Sequence, residues 1–143
     1  MIIDVVANHR GFFSFRLCPH DAPDVAPSPA CFARHPLTFE DGSDKHYLNV
    51  DDWTAPRKGK RVELRLRLPK GVTCWHCVLQ WTYVTGNNWG SGPQTAEIYT
   101  EDCVNSSEGK LGCGNQETFR GCADICIGKG WAGKNYVVTP DDF

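Results

Sequence analysis

The sequence has no surplus of charge of one sign, no internal repeat and no low-complexity tract. Its formal net charge is −2, and the acidic and basic residues are interleaved along the chain. A basic patch for nucleic acid or for an anionic membrane surface is therefore excluded, and we expect a neutral partner. Without a repeat or a long helical pattern, 143 residues predict one compact domain.

The first residues do not have the pattern of an export signal. The segment MIIDVV has no basic start, no long apolar stretch and no small-residue cleavage site. The eight cysteines nevertheless indicate an oxidising compartment. We therefore expect an extracellular protein whose chain begins downstream of its natural start.

Cysteine, glycine and proline are all plentiful. The eight cysteines are an even number, which is typical of a disulfide-bonded secreted protein. The fourteen glycines and nine prolines predict short elements joined by turns. Asn105 begins an Asn-Ser-Ser sequon, a candidate glycosylation site.

Hydrophobic alternation predicts strands and little helix. The predicted strands are residues 2–8, 11–18, 61–68, 77–84 and 119–127. Phe13, Phe15 and Leu17 share the predicted core face of the second strand, and residues 79, 81 and 83 form a predicted core row on the fourth. Residues 86–93 and 103–114 are predicted polar loops. Ser28 followed by Pro29 predicts the start of a short helix that runs to His35. We therefore predict an all-β fold, an antiparallel β-sandwich of immunoglobulin-like or fibronectin-like type with loop excursions and one short helix.

The cysteines predict a framework whose connections are mostly open. Cys18 and Cys31 bracket a proline-rich loop, and we expect them to pair. The remaining six are disulfide candidates without assigned partners: Cys74, Cys77, Cys103, Cys113, Cys122 and Cys126. A zinc site or a redox pair at Cys74 and Cys77 is an alternative to a disulfide, and Cys126 is a candidate for a free thiol.

Three segments carry a joint resemblance to one family. They are ANHRGFFSFRLCP at residues 7–19, CWHCVLQW at 74–81 and QETFRGCADI at 116–125. Their order and spacing resemble the lytic polysaccharide monooxygenases of auxiliary-activity family fifteen, which carry a chitin-binding type-4 domain. The resemblance covers residues 2–127, so we expect a domain at 1–127 and a tail or linker at 128–143.

The resemblance implies a copper site called a histidine brace, in which an N-terminal histidine gives its amine and imidazole and a second histidine gives another imidazole. His9 corresponds to that second histidine. Ala7 corresponds to the small residue beside the axial position, and Phe119 corresponds to the axial aromatic. Glu117 corresponds to the polar residue that would steer oxygen-derived species, with Gln116 as an alternative.

Residue 1 is methionine, so this chain departs from the pattern at the first copper ligand. The resemblance implies oxidative cleavage of crystalline chitin or cellulose, but we expect the chain as it stands to be inactive and copper to belong to a longer protein. The alternatives are a non-catalytic chitin- or glycan-binding module and an extracellular structural domain. Trp89 is a weak candidate for stacking on sugar rings or for closing one end of the sandwich, and we expect a monomer that binds polysaccharide.

Overall fold

The structure is a computed structural model, and it describes residues 1–48, 60–91, 103 and 108–128. The sequon at Asn105 and all but the first residue of the expected tail lie outside the described residues. No helix in these ranges is long and apolar enough to cross a bilayer.

The described residues form ten strands and one helix. In chain order they are β1 (Ile2–Val5), β2 (Phe12–Pro19), α1 (Pro29–Arg34), β3 (Thr38–Phe39), β4 (His46–Tyr47), β5 (Lys60–Glu63), β6 (Leu66–Arg67), β7 (Cys74–Val84), β8 (Trp89–Gly90), β9 (Lys110–Leu111) and β10 (Thr118–Ile127). The predicted all-β class with one short helix is confirmed.

The central sheet has four strands in the order β10-β7-β2-β4, and its neighbours are antiparallel. Three two-stranded ribbons complete the described fold, β1 with β5, β3 with β6 and β8 with β9. Because β7 lies between β2 and β10, side chains of these three strands stand in rows across the sheet.

One face of the central sheet carries the main core. Alternate residues of β2, namely Phe13, Phe15 and Leu17, are almost completely buried there. Val5 from β1 and Phe39 from β3 pack against the same cluster, so the two ribbons form a second layer over the sheet. The predicted inward face of β2 is therefore the core face.

The other face of the sheet is covered in part by α1. Phe32 of the helix packs with Cys18, Cys31 and Val78. The Ser28 side chain accepts a hydrogen bond from the backbone N–H of Cys31, and a proline occupies the first turn. The helix start predicted from Ser28 and Pro29 is thus observed, although the helix ends at Arg34 instead of His35.

The predicted strand at residues 61–68 is wrong as one element. The segment splits into β5, which pairs with β1, and β6, which pairs with β3. Between them, the Met1 amine donates to the Leu64 carbonyl oxygen at 2.7 Å, and the Leu64 N–H donates to the Met1 carbonyl oxygen at 2.8 Å. The alternation of apolar and polar residues continues through this change of partner strand, because β5 and β6 bury the same face of the segment against the core.

The other four predicted strands differ in their bounds, β2 and β10 by one residue only, and two predicted loops contain short strands. The first strand ends at Val5, and β7 begins at Cys74, three residues before the predicted start. The two polar loops around Trp89 and Leu111 contain the paired strands β8 and β9. Two-residue strands are too short to produce a periodic signal.

Three disulfides are present among the described residues. Cys18 is bonded to Cys31, the expected pair, and the other two bonds join Cys74 to Cys77 and Cys103 to Cys113. The bond between Cys74 and Cys77 leaves no thiolate there for the zinc alternative, and a redox role for this pair stays a prediction.

Cys122 and Cys126 are both free and exposed, so including Cys122 among the disulfide cysteines was wrong. They lie four residues apart on β10, which places their Cα atoms about 13 Å apart at the rise of a strand. A disulfide needs Cα atoms less than about 7 Å apart, so these two thiols cannot join each other.

Candidate functional site

Three chain segments meet at one end of the central sheet. Phe12 at the start of β2 and Thr118 at the start of β10 both stand opposite Val84 near the end of β7. The residues just before β2, just after β7 and just before β10 are therefore neighbours. Two of the three segments that carry the family resemblance, residues 7–19 and 116–125, reach this end, which we call the His9 end.

His9 lies in the segment that precedes β2, and its side chain is exposed. Its backbone N–H donates to the Tyr83 hydroxyl oxygen at 3.0 Å, and its carbonyl oxygen accepts from the Gly86 N–H at 2.8 Å. The backbone is thus fixed on both sides while the imidazole faces outward. This combination suits a side chain that binds something from solution.

The turn after His9 requires an unusual backbone. Arg10 has φ 59° and Gly11 has φ 83°, both in the left-handed region. The Arg10 N–H donates to the Asn8 side-chain oxygen at 2.7 Å, which stabilises the turn. A Cβ atom at Gly11 would overlap the carbonyl oxygen of Val84, so only glycine fits there.

Asn87 is the side chain that contacts the His9 ring. Its amide nitrogen lies 3.3 Å from His9 Nδ1. A metal bound through Nε2 requires the proton to be on Nδ1, which then needs an acceptor. In the structure the amide nitrogen faces the ring and donates to Nδ1, which places the proton on Nε2. A rotation of the amide that brings its oxygen to Nδ1 would leave Nε2 free for a metal.

Phe119 and Glu117 lie at the same end of the sheet. Phe119 stands opposite Tyr83, the two ring centroids are 6.0 Å apart, and the Phe119 side chain is 46% exposed. The Glu117 side chain is exposed, and its carbonyl oxygen accepts from the Thr85 N–H at 3.0 Å. Ala7 is exposed two residues before His9. The structure therefore brings Phe119 and Glu117 to the end of the sheet where His9 lies.

Gln116 is buried and is used to hold a loop. Its side-chain oxygen accepts from the Asn88 N–H at 3.0 Å, and its side-chain nitrogen donates to the Asn88 carbonyl at 3.1 Å and to the Gly114 carbonyl at 2.8 Å. Three hydrogen bonds from one buried amide join the loop after β7 to the loop before β10. Gln116 thereby positions the segment that carries Asn87.

Trp89 extends this end of the molecule with an aromatic surface. Its side chain is 72% exposed, although its backbone belongs to the β8–β9 ribbon. The indole lies against Gly109, where a Cβ atom would overlap the ring nitrogen. The nearby disulfide between Cys103 and Cys113 closes the adjoining loop. Trp89 is thus held in place and open to solvent.

Tyr83 connects the exposed groups to the core. Burial raises the pKa of its phenol, and the hydrogen bond from the His9 backbone acts in the opposite direction. Tyr83 is therefore neutral at physiological pH and able both to accept and to donate a hydrogen bond. In the described ranges, no group of three histidine, cysteine or acidic side chains is placed to hold a metal ion.

Sequence reasoning missed Tyr83 and Asn87 as members of this site. Tyr83 was interpreted as one member of a core row, which it also is, and Asn87 as part of a polar loop. Their contacts with His9 join residues 74 and 78 positions apart in the chain. Only the register of β2 against β7 brings them together.

Comparisons with known proteins identify the family of the chain. Residues 1–125 match the family model described as lytic polysaccharide mono-oxygenase, cellulose-degrading. The chain therefore belongs to the lytic polysaccharide monooxygenase family. No curated protein matches the sequence.

A solved structure places the chain within that family. A lytic polysaccharide monooxygenase AA15 from Thermobia domestica in the Cu(I) state shares 35% sequence identity with this chain, with a TM-score of 0.69. The match covers 89% of this chain and 58% of that one. The chain is of the AA15 type, and the predicted β-sandwich is confirmed. The chain spans less than two thirds of the length of this relative.

Proposed function

We propose that His9 is a copper ligand in a site for oxidative cleavage of crystalline chitin or cellulose. The observation that carries this proposal is the exposed imidazole of His9 on a backbone that is hydrogen-bonded on both sides, at the end of the sheet where Phe119 is half-exposed. Family membership supports copper as the metal and polysaccharide as the substrate class.

The residues at the His9 end fit one half of a copper site. Imidazole nitrogen is a good ligand for copper. Asn87 contacts Nδ1 of the ring, and with its amide oxygen turned toward Nδ1 it would hold the tautomer that leaves Nε2 free. Phe119 has no oxygen or nitrogen and would cover one side of the metal without binding it. When bound, copper would supply the redox chemistry that activates oxygen or peroxide for C–H oxidation.

The second half of the site would come from another residue. The resemblance assigns it to an N-terminal histidine, but the N-terminal amine here belongs to Met1 and donates to the Leu64 carbonyl oxygen in the β1–β5 ribbon. Because no group of three histidine, cysteine or acidic side chains among the described residues is placed to hold a metal ion, we expect this chain alone to bind copper weakly and to release no oxidised sugars.

The remaining side chains have proposed roles toward the substrate and the oxidant. Glu117 is exposed and available to hydrogen-bond an oxygen-derived species, and Ala7 leaves space beside the metal. Trp89 is held against Gly109 with its ring open to solvent, which suits stacking on a sugar ring of an insoluble chain. Three disulfides support an extracellular location.

Copper titration of the chain tests the proposal directly. Cu(II) is added to the wild type, to His9→Ala and to His35→Ala, and the nitrogen coupling is read from the paramagnetic resonance spectrum. We expect one imidazole coupling in the wild type and in His35→Ala, and its loss in His9→Ala.

The opposite outcome would remove His9 from the metal site. If His9→Ala binds Cu(II) as the wild type does, the imidazole of His9 is not a ligand and the proposed function fails. If the chain binds chitin equally with and without copper, and His9→Ala binds chitin as the wild type does, a non-catalytic binding module is favoured instead.

A further inference from the structure

One tyrosine hydroxyl makes hydrogen bonds to two consecutive residues of the metal-binding segment. Tyr83 accepts from the His9 N–H at 3.0 Å and donates to the Arg10 carbonyl oxygen at 2.9 Å. The Gly86 N–H, three residues further along the same chain, donates to the His9 carbonyl oxygen at 2.8 Å. Both peptide groups of His9 are therefore held by the end of β7.

These bonds hold a backbone conformation that is unfavourable by itself. Arg10 has φ 59°, a region that non-glycine residues rarely occupy. The chain reverses direction at this point, directly after His9 and before β2. Without the Tyr83 hydroxyl, the Arg10 carbonyl would lose its partner and the turn would be free to relax toward an ordinary conformation.

The ring of Tyr83 is fixed as firmly as its hydroxyl is. It meets Phe13 edge to face at 5.0 Å between centroids and is 6% exposed. It also lies beside Phe119, at 6.0 Å between centroids, and beside Trp81, at 6.3 Å. The same side chain therefore touches the backbone of the proposed ligand and the ring of the proposed axial residue.

An ordinary core tyrosine would not need this arrangement. A buried hydroxyl requires one hydrogen-bond partner to offset the loss of water, and any nearby carbonyl would serve. Tyr83 has two partners, on adjacent residues, in the segment whose geometry a metal site would depend on.

We propose that Tyr83 is a positioning residue, which fixes the His9 backbone through its hydroxyl and sets the place of His9 relative to Phe119 through its ring. This inference rests on the proposed function in so far as it concerns copper. Tyr83 itself binds no metal, since its oxygen is occupied by the two hydrogen bonds.

The test is the single-atom change Tyr83→Phe, which removes the hydroxyl and keeps the ring between Phe13 and Phe119. The matched control is Thr82→Val. It removes a hydroxyl from the residue that precedes Tyr83 in β7, on the opposite face of the sheet. Hydrogen exchange of the His9 amide is measured in the metal-free proteins, followed by Cu(II) affinity and the resonance spectrum.

We expect the His9 amide to exchange faster in Tyr83→Phe and at the wild-type rate in Thr82→Val. Loss of a partner that orients a metal ligand lowers metal affinity by about tenfold or more, so copper binding should weaken to that extent in Tyr83→Phe alone. The Cu(II) spectrum should broaden because the imidazole would take several orientations.

Unchanged exchange of the His9 amide in Tyr83→Phe would overturn the inference and leave Tyr83 as a core residue. The metal-free measurement does not depend on copper, so it decides the anchoring role even if His9→Ala shows that the proposed function is wrong. Thermal unfolding of both variants identifies any general loss of stability, which would accelerate exchange at core amides as well as at His9.

Discussion

At the His9 end of the central sheet, hydrogen bonds and close backbone contacts hold the segment that carries His9, and the Cys103–Cys113 bond closes only the neighbouring loop. At the opposite end, disulfides hold the residues that follow β2 and begin β7. His9 is anchored by the Tyr83 hydroxyl and the Gly86 amide, and Gly11 lies directly against the Val84 carbonyl. The opposite end, which we call the disulfide end, contains the Cys18–Cys31 and Cys74–Cys77 bonds.

The difference follows from what each end has to expose. A metal-binding imidazole must remain open to solvent while its position is fixed, and backbone hydrogen bonds achieve this because they leave the side chain free. The disulfide end joins a six-residue helix and a proline-rich loop to the sheet. Such a short helix has little packing of its own, so a covalent link stabilises it more effectively.

The largest expected effect comes from Gly11→Ala, at the His9 end. The new methyl group would overlap the Val84 carbonyl and would have to adopt φ 83°. Because backbone atoms cannot move aside as a flexible side chain can, we expect a loss of about 4 kcal/mol in the free energy of unfolding. Chemical denaturation measures it.

Gly42→Ala is the matched control for this change. Gly42 also has a left-handed φ, 89°, but nothing lies within 4 Å of the position of its Cβ atom. It should lose only the conformational part, about 1 kcal/mol. Equal losses in the two variants would mean that the close contact at Gly11 contributes nothing.

The next largest effect is expected at the disulfide end, from the double change Cys18→Ala and Cys31→Ala. The bond closes a loop of sequence separation 13, and a loop of that size contributes about 3 kcal/mol by restricting the unfolded chain. Hydrogen exchange should rise in α1 and leave the Gly86 amide protected. Equal acceleration at Gly86 would show that the two ends are not independent.

The sequence allowed the prediction of those features that are written in a local pattern. The buried face of β2 follows from alternation, the start of α1 follows from Ser28 and Pro29, and the Cys18–Cys31 bond follows from the loop between them. The position of His9 came from the family resemblance. The register of the sheet brings the His9 segment to the last residues of β7 and the first residues of β10.

The contacts that hold the site could not be predicted in this way. Tyr83 reaches His9 across 74 positions of sequence, and shifting the register of β7 by one residue would turn its side chain to the other face. The split between β5 and β6 was missed because alternation reports the buried face and carries no information about the partner strand. Gln116 is only an alternative to Glu117 for the role toward the oxidant, and no local signal reveals that its amide bonds Asn88.

The smallest expected effect concerns the β1–β5 ribbon, which delivers the chain to the His9 end and is joined by the Asp4–Arg61 ion pair at 2.9 Å. The hydrogen bond from Arg61 lowers the pKa of Asp4 below that of an unfolded carboxyl, which is about 3.9. The pair therefore stabilises the fold above that pH, and this contribution is lost as the pH falls through the folded pKa. Because both side chains are largely exposed, the contribution is small and salt reduces it.

Melting temperatures of the wild type and Asp4→Asn should differ at neutral pH and converge in acid, and the neutral difference should shrink in molar salt. If the melting temperatures of the two proteins keep the same difference from neutral pH down to strong acid, the ion pair does not stabilise this ribbon.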